Sequence, residues 1–263
     1  MFSSRYRLTP LALLMSLALS AAGAQAAAKP AAKPAGKPAG KPAGKPAGQR
    51  APGAKAAAQS EWKSLFNGTS TDAWRGFKMD KLPEGWSIAD GTLTKSKPVE
   101  DIISKEEFGN FELEFEWKLG KGGNSGAFYR ATEEETKVYW SATEYQLLDD
   151  AGHPDGKNAL TSAASNYGLY APPRGVVKAA DEWNSTRIVV RGTHAEHWLN
   201  GQKVVEYDYG SPDWTAKVKA SKFNEHPIYG KATKGHVAFQ GDHTGVLALR
   251  NIRIRELTLK EPK

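Results

Sequence analysis

The stretch Phe111-Glu-Leu-Glu-Phe-Glu-Trp-Lys-Leu119 alternates apolar and charged side chains without interruption. Successive side chains of a β-strand point to opposite faces, so the apolar residues of this stretch share one face and the Glu and Lys residues share the other. The stretch therefore predicts a strand with one face in a core and one face in water.

The same alternation, in shorter runs, continues on both sides of this strand. Further strands are predicted at 92–95, 127–130, 144–148, 187–191, 195–199, 203–207, 236–240 and 249–259. Glycine-containing turn signals such as Asp90-Gly91 and Asn200-Gly201 separate them, and no segment from Trp62 onward has sustained helical periodicity. The polar segment 151–163 predicts a long loop. Many short strands joined by turns predict an all-β sandwich or closed barrel.

The net charge of +7 is unevenly distributed over the 263 residues. Residues 1–60 hold nine Lys and Arg and no acid, which leaves 27 cations against 29 acids, a formal charge of −2, from Glu61 onward. This slightly acidic domain argues against a nucleic-acid partner. The chain contains no cysteine, which excludes disulfides, a thiolate nucleophile and a Cys-ligated zinc site.

The N-terminal 60 residues predict targeting and tethering. Arg5 and Arg7 precede an apolar run that is short for a membrane span, and Ala24-Gln25-Ala26 is a small-x-small cleavage site, so residues 1–26 predict a signal peptide. Residues 27–60, with four KPAG repeats, predict a disordered linker. Its lysines would either contact anionic envelope polymers or simply keep a spacer solvated. We expect a periplasmic or secreted protein without a transmembrane span after cleavage, whose single folded domain occupies 61–263.

A series of motifs in residues 61–259 resembles one known family. These motifs are Trp62 to Gly68, Gly122-Gly-Asn-Ser-Gly-Ala-Phe-Tyr-Arg130, Glu144-Tyr-Gln-Leu-Leu-Asp-Asp150, Gly168 to Pro172, Trp183 to Gly192, Glu196-His-Trp-Leu-Asn-Gly201, Gly235 to Gln240 and Arg250 to Ile254. In this order they resemble the 3-keto-disaccharide hydrolase family. The resemblance implies a concanavalin-like jelly-roll β-sandwich of two antiparallel sheets with a saccharide groove on a concave sheet. One motif departs from the family, because Gly241 stands between Gln240 and Asp242-His243.

A 3-keto substrate changes the chemistry that the site must supply. Ordinary glycosidases use two carboxyl groups across the scissile bond. Glucanases of the implied fold carry theirs as E-x-D-x-x-E, whereas here Gln146 replaces the middle acid between Glu144 and Asp149. A ketone at C3 acidifies the C2 proton and makes the C1 substituent a β-leaving group. Elimination followed by hydration then requires a base, a stabiliser of the enolate oxygen and an acid for the departing oxygen.

Four residues are candidates for these catalytic roles. Glu144 is the leading acid/base, because Tyr145 in the same strand is expected in the core, which sends Glu144 to the opposite, concave face. Asp149 would line the groove or bind a cation, or else stabilise a turn. Arg130 would pair with Glu144 or hold the enolate oxygen, or form a structural ion pair. His197 is a candidate base, although in mid-strand it would equally be a buried, hydrogen-bonded residue.

The substrate-binding candidates come from loops, strand faces and aromatic residues. The segment Gly122–Gly126 predicts a tight loop that presents Asn124 and Ser125. Gln146 shares the face of Glu144. The other binding candidates are Tyr129, Trp140, Tyr167, Tyr170, Gln240 and His243. A divalent cation would polarise a ketone, but the sequence assigns no set of metal ligands.

These observations predict a hydrolase that cleaves 3-keto-disaccharides or related 3-keto-glycosides. A non-catalytic, lectin-like carbohydrate-binding module would need the same fold and the same groove. A third interpretation is an envelope scaffold whose Lys/Pro-rich tail is the active part.

Overall fold

A computed structural model describes residues 60–259 of the chain, and the predicted signal peptide and almost all of the predicted linker lie outside this range. The described strands are β1 Lys63–Phe66, β2 Trp74–Gly76, β3 Ser87–Ala89, β4 Thr92–Lys95, β5 Ile102–Phe108, β6 Phe111–Leu119, β7 Asn124–Ala131, β8 Thr143–Leu148, β9 Asn184–Arg191, β10 His194–Leu199, β11 Gln202–Asp208, β12 Gly235–Phe239 and β13 Leu247–Glu256. One α-helix, α1, spans Pro212–Lys219. None of the helices in the described range is long and apolar enough to cross a membrane.

The strands form two antiparallel sheets that pack face to face. The large sheet has the order β11-β10-β9-β6-β13-β4-β3, with β1 also paired to β13, and the small sheet has the order β2-β5-β12-β7-β8. Apolar side chains from both sheets fill the space between them in one continuous cluster. The predicted all-β sandwich of two antiparallel sheets is confirmed, and the closed barrel is not formed.

Strand β6 lies in the middle of the large sheet and has the predicted boundaries. Its apolar residues, from Phe111 to Leu119, are buried in the core, while Glu114 and Glu116 on the other face are half-buried. Glu112 is buried as well, because Arg187 and Arg255 from the flanking strands pair with its carboxylate.

Strands β1, β2, β3 and β5 and helix α1 have no counterpart in the sequence-based prediction. In β5 a bulge breaks the alternation: Ile103 pairs with Ala238 and Glu107 with His236, so the three residues 104–106 lie opposite the single residue Val237. Helix α1 buries only Trp214, so it has little apolar periodicity. Its start was nevertheless signalled, because the Ser211 hydroxyl accepts a hydrogen bond from the Trp214 amide and Pro212 follows.

Two predicted loops are more regular than expected. Residues 120–123 connect β6 to β7, and Asn124 and Ser125 of the predicted loop are already part of β7. The predicted loop 151–163 contains two short 3₁₀ turns, Pro154–Lys157 and Ala159–Thr161.

Candidate active site

A cleft of about 220 Å³ opens on the outer face of the small sheet, and we call it the Glu144 pocket. Its floor comes from the ends of β7, β8 and β12, and its walls come from the segments that surround them. The lining residues are Asn124, Tyr139, Trp140, Glu144, Gln146, Asp155, Tyr167, Lys222, Gln240, Asp242 and His243. The predicted phase of β8 is confirmed, since Tyr145 and Leu147 lie in the core while Glu144 and Gln146 line the pocket.

The Glu144 side chain is only 6% exposed, and burial raises its pKa to about 8. The charge of Lys222 lowers this pKa, whereas the charges of Asp101, Asp242 and Asp155 raise it further. The carboxyl lies against Gly126, where a Cβ atom would sit 2.4 Å from Oε1, so a glycine at this position leaves room for it. The acid is therefore held in a protected place with a pKa near neutrality, as an acid/base catalyst requires.

Gln146 fixes the orientation of the Glu144 carboxyl. With its amide nitrogen turned toward Glu144, Gln146 donates to Oε1 of Glu144 at 3.0 Å and to the Ser125 carbonyl at 2.9 Å. The residue that replaces the middle acid of the glucanase pattern thus supports the remaining one. Because Gln146 is neutral, this position adds no second negative charge beside Glu144.

Lys222 is a pocket residue that the sequence analysis missed. It begins the 3₁₀ turn Lys222–Glu225, far from Glu144 along the chain, and no motif marks it. Its ammonium nitrogen lies 4.6 Å from the ring centre of Tyr167, 5.4 Å from that of Tyr139 and 5.6 Å from that of Trp140. Cation–π contacts hold the ammonium group over these rings at the pocket that contains the buried acid.

Two buried amide oxygens in the pocket have no hydrogen-bond partner among the described residues. They are Oδ1 of Asn124 and Oε1 of Gln240, and their side chains are only 6% and 5% exposed. An unpaired buried acceptor is costly, so such atoms mark positions where a ligand hydroxyl can donate. Both residues were predicted to bind substrate.

The loop after β12 brings Asp242 and His243 to the pocket. Asp101 anchors this loop by accepting a hydrogen bond from the Gly241 amide at 2.8 Å, and burial raises the pKa of Asp101 to about 6. A Cβ at Gly241 would lie 2.5 Å from the Val99 carbonyl oxygen, so the close passage of the chain requires glycine. The inserted Gly241 therefore leaves His243 at the pocket, as predicted.

The candidates His197 and Tyr129 do not line the Glu144 pocket. Both side chains are fully buried between the sheets, where Nε2 of His197 lies 2.7 Å from the Tyr129 hydroxyl and Nδ1 lies 2.9 Å from the Ala164 carbonyl oxygen. Burial lowers the pKa of His197 to about 4, which keeps the ring neutral. His197 is the buried, hydrogen-bonded residue of the alternative interpretation.

Arg130 does not reach Glu144, contrary to prediction. The register of β7 against β12 shifts between the pairs Phe128–Ala238 and Ala131–His236, and Arg130 has a positive φ of 55° at this bulge. The bulge turns the guanidinium toward the end of the sandwich, where it donates to the carbonyl oxygens of Gly109 and Gly192. Arg130 thus ties two turns together and leaves the pocket to Lys222.

Three other candidates also lie outside the pocket lining. Asp149 accepts a hydrogen bond from the Gly122 amide at 2.7 Å, which is the turn-stabilising alternative. The fully buried Ser125 hydroxyl donates to the Gln240 carbonyl oxygen, and the Tyr170 hydroxyl donates to Asp213 in the first turn of α1. Ser125 therefore supports Gln240 from behind and does not face a ligand. Trp140 and Tyr167, in contrast, line the pocket as expected.

The pocket acids do not form a cluster of metal ligands. Among the described residues, the group of acidic and histidine side chains whose ligand atoms converge is His194, Glu196 and Glu206, on the large sheet. The ammonium group of Lys203 pairs with both of these glutamates and offsets one of their two negative charges. No catalytic step is assigned to a metal ion here.

The small sheet and the segments around it bring a buried carboxyl group, an ammonium group and unpaired amide oxygens into one pocket of a β-sandwich, an arrangement suited to a carbohydrate-active enzyme. The sequence model of the 3-keto-alpha-glucoside-1,2-lyase-like domain family matches residues 61–255, and the chain belongs to this family. The family predicted from the motifs is thereby confirmed.

Named relatives and solved structures agree with this assignment. The chain is 34% identical over 226 residues to a protein of Bacteroides thetaiotaomicron named 3-keto-disaccharide hydrolase, a match that covers 74% of this chain and 78% of the relative. Two crystal structures of proposed glycosyl hydrolases from Parabacteroides distasonis share 30% and 31% identity with it and have TM-scores of 0.70 and 0.61. The matches cover 75% of this chain in both cases and 94% and 100% of the two relatives. The chain is a glycoside hydrolase, and the non-catalytic module is not favoured.

Proposed function

We propose that the enzyme hydrolyses 3-keto-disaccharides or related 3-keto-glycosides by elimination followed by hydration. The observation that carries the proposal is the buried Glu144 carboxyl, with a pKa of about 8, in one small pocket with the Lys222 ammonium group. The family description, which refers to a 1,2-lyase of 3-keto-glucosides, and the hydrolase name of the Bacteroides relative support it. Elimination and then addition of water reconcile the two names, because their sum is hydrolysis.

The arrangement on β8 does not favour the two-carboxylate mechanism of ordinary glycosidases. Asp149, the second acid that the strand would supply, lies outside the pocket and bonds to the Gly122 amide. Gln146 occupies the intermediate position and donates to Glu144. One buried acid next to one cation suits proton abstraction beside a ketone better than attack on an unactivated acetal.

In the proposed reaction, the Glu144 carboxylate removes the proton from C2 of the keto sugar. The C2–H electron pair forms the C2–C3 double bond of an enolate, and the negative charge on O3 is stabilised by Lys222. The enolate then re-forms the ketone, the C1–C2 double bond forms and the C1–O bond breaks, and the departing oxygen takes a proton. The Glu144 carboxyl, which has just taken the proton from C2, is the acid in the pocket that can supply it, because its pKa is about 8. Water adds to C1 of the enone and a proton returns to C2, which completes hydrolysis.

The pocket also supports recognition of a sugar ring. The unpaired oxygens of Asn124 and Gln240 accept hydrogen bonds from hydroxyl groups, and Trp140 and Tyr167 offer aromatic faces to the C–H surface of the ring. The cleft of about 220 Å³ is small, so we expect one sugar to enter it and the leaving group to lie at its mouth.

The decisive experiment compares wild type with Glu144→Gln on 3-keto-trehalose. We expect the variant to lose roughly 10²- to 10⁴-fold in kcat, the usual size of a general-base contribution. In the wild type, kcat/KM should rise with pH and level off above about pH 8, because the base must be deprotonated. A substrate deuterated at C2 should lose the label to solvent.

Glu225→Gln is the matched control, because Glu225 is an exposed acid in the same 3₁₀ turn as Lys222 and does not line the pocket. It should leave kcat unchanged. Full activity of Glu144→Gln, complete retention of deuterium at C2, or equally fast cleavage of ordinary glucosides by the wild type would each contradict the proposal.

A further inference from the structure

A second and larger groove, of about 820 Å³, crosses the outer face of the large sheet, on the opposite side of the sandwich from the Glu144 pocket. We call it the Trp62–Trp198 groove. It is lined by Trp62, Ser64, Phe66, Asn67, Glu114, Phe115, Glu116, Ser185, Thr186, Arg187, Trp198, Gly201, Asn251, Ile252 and Arg253.

The floor of this groove is one row of residues paired across five strands. Ser64 of β1 faces Arg253 of β13, Arg253 faces Glu114 of β6, Glu114 faces Arg187 of β9, and Arg187 faces Trp198 of β10. Four strand spacings separate the ends of the row, which is roughly 19 Å. Trp62 lies just before β1, so one tryptophan marks each end of the row.

Guanidinium groups hold the two tryptophan rings in place. The Arg187 guanidinium carbon lies 3.9 Å from the ring centre of Trp198, and those of Arg253 and Arg255 lie 4.5 Å and 4.6 Å from that of Trp62. Both tryptophans remain partly exposed on the surface of the sheet. Large aromatic side chains fixed in solvent-accessible positions reduce the conformational entropy that a ligand must overcome.

Each charged side chain that lines the groove pairs with a neighbouring side chain of opposite charge. Glu114 pairs with Arg253, Glu116 pairs with Arg250, and Arg187 pairs with Glu112. The remaining polar lining consists of hydroxyl and amide groups from Ser64, Asn67, Ser185 and Asn251. Aromatic faces with neutral donors and acceptors match a neutral, hydroxyl-rich ligand, and the two arginines of the lining, Arg187 and Arg253, each pair with a carboxylate.

Two β-bulges shape this side of the sheet. The register of β13 against β6 shifts between Arg250 and Arg253, where Asn251 has a positive φ of 53°, and that of β1 against β13 shifts after Ser64. Bulges bend strands and redirect side chains, and they are frequent beside functional sites. Ser64 and Asn251, which lie at these bulges, both line the groove.

We propose that the Trp62–Trp198 groove binds a neutral polysaccharide chain, with the sugar rings stacked on the two tryptophans and the hydroxyl groups bonded to the polar floor. This site is separate from the Glu144 pocket. The groove anchors the enzyme on a glycan while the pocket processes small glycosides. This proposal does not depend on the reaction proposed for the Glu144 pocket.

Affinity electrophoresis of the full chain in gels that contain amylopectin, galactomannan or hydroxyethyl cellulose tests the proposal. We expect at least one of these neutral polymers to retard the wild type, and the Trp62→Ala/Trp198→Ala double variant to lose that retardation. Turnover of a soluble 3-keto-disaccharide should not change in the same variant. Trp183→Ala is the matched control, because Trp183 stacks on Arg250 and Lys118 of the same face but does not line the groove.

If the double variant does not fold, Ser185→Arg replaces it, because this residue is exposed on the groove floor and a long side chain there blocks the groove. The proposal is overturned if none of the three polymers retards the wild type, or if Trp183→Ala and the groove variants lose retardation equally. It is also overturned if only an acidic polymer such as hyaluronan retards the chain. Light scattering supplies a further test, since a dimer that the groove variants abolish would assign the face to a second copy of the chain.

Discussion

At the scale of single residues, the pocket owes its chemistry to one buried acid and one cation. The phase of β8 predicted that Glu144 faces the groove, where the structure has it, and Arg130 was one candidate for the cation beside it. The structure supplies Lys222 instead, held over the rings of Tyr139, Trp140 and Tyr167. This exchange decides which cation stabilises the enolate in the proposed reaction.

Lys222→Met is expected to lower kcat by roughly 10²- to 10³-fold while changing KM much less, because the charge on O3 develops only in the transition state. It should also shift the rise of kcat/KM to higher pH, since the charge of Lys222 lowers the pKa of Glu144. Steady-state kinetics across pH measure both effects. Lys219→Met, which removes an exposed lysine from α1, is the control. If the pH profile of Lys222→Met is not shifted, Lys222 does not lower the pKa of Glu144.

His197 is expected to act on stability and not on catalysis. Its pKa is lowered to about 4 in the folded protein, below the ordinary histidine value of about 6.5. Stability from the neutral ring is therefore present above pH 6.5 and is lost as the pH falls toward 4. Relative to His197→Gln, the wild type should lose up to about 1.4 kcal/mol of unfolding free energy per pH unit in this window.

Urea unfolding at a series of pH values, together with turnover by the folded fraction, distinguishes this role from catalysis. The folded His197→Gln variant should keep its turnover, because the ring bonds to Tyr129 and Ala164 and does not reach the pocket. Abolished turnover in a fully folded variant would restore the catalytic interpretation.

At the scale of the structural elements, bulges decide where side chains go. Strand β8 keeps its alternation, so the position of Glu144 followed from sequence. Strand β7 does not, because the bulge at Arg130 redirects that side chain to the carbonyl oxygens of Gly109 and Gly192. The bulge in β5 likewise concealed that strand from a search for period two.

Removing the Arg130 guanidinium is expected to destabilise the sandwich without affecting the pocket. Arg130→Met leaves two carbonyl oxygens without their donor, at a cost of roughly 1–3 kcal/mol. Urea unfolding measures this loss, and the kcat of the folded enzyme should stay at the wild-type value. Arg191→Met, at the exposed position next to Gly192, should cost little. A large fall in kcat for Arg130→Met would return Arg130 to the active site.

At the scale of the whole molecule, the two faces of the sandwich and the basic N-terminal segment have different proposed roles. The small sheet carries the proposed reaction, and the large sheet carries the proposed glycan groove. We propose that residues 1–26 direct export to the periplasm or the medium and that the lysines of 27–60 hold the enzyme near anionic envelope polymers. The positive net charge then concerns location, since the domain from Glu61 onward is slightly acidic.

Deleting residues 27–59 is expected to leave turnover of a soluble substrate unchanged and to release the enzyme from the envelope fraction. A variant with all six lysines of this segment changed to serine keeps its length and separates charge from tethering. Fractionation at low and high salt is the measurement, because electrostatic retention weakens as ionic strength rises. Retention by the serine variant equal to that of the wild type would show that the lysines have no such role.

Local patterns explain how much of the molecule was predictable. Strand β6 and the phase of β8 depend only on alternation within a few residues, and both were predicted correctly. Helix α1 was missed because it is short and buries one side chain, although Ser211 and Pro212 marked its start. Lys222 carried no signal at all, since its place depends on how a distant turn packs over Trp140 and Tyr167.

The sequence by itself determined the all-β class, the family and the face of β8 that carries Glu144, because alternation and motif order are properties of the chain alone. Only the tertiary structure decided that Lys222 and not Arg130 accompanies Glu144, that His197 lies in the core, and that Trp62 and Trp198 end one row across five strands. These outcomes depend on bulges, strand register and the packing of distant segments. Such features arise from the whole fold, and no local pattern of residues encodes them.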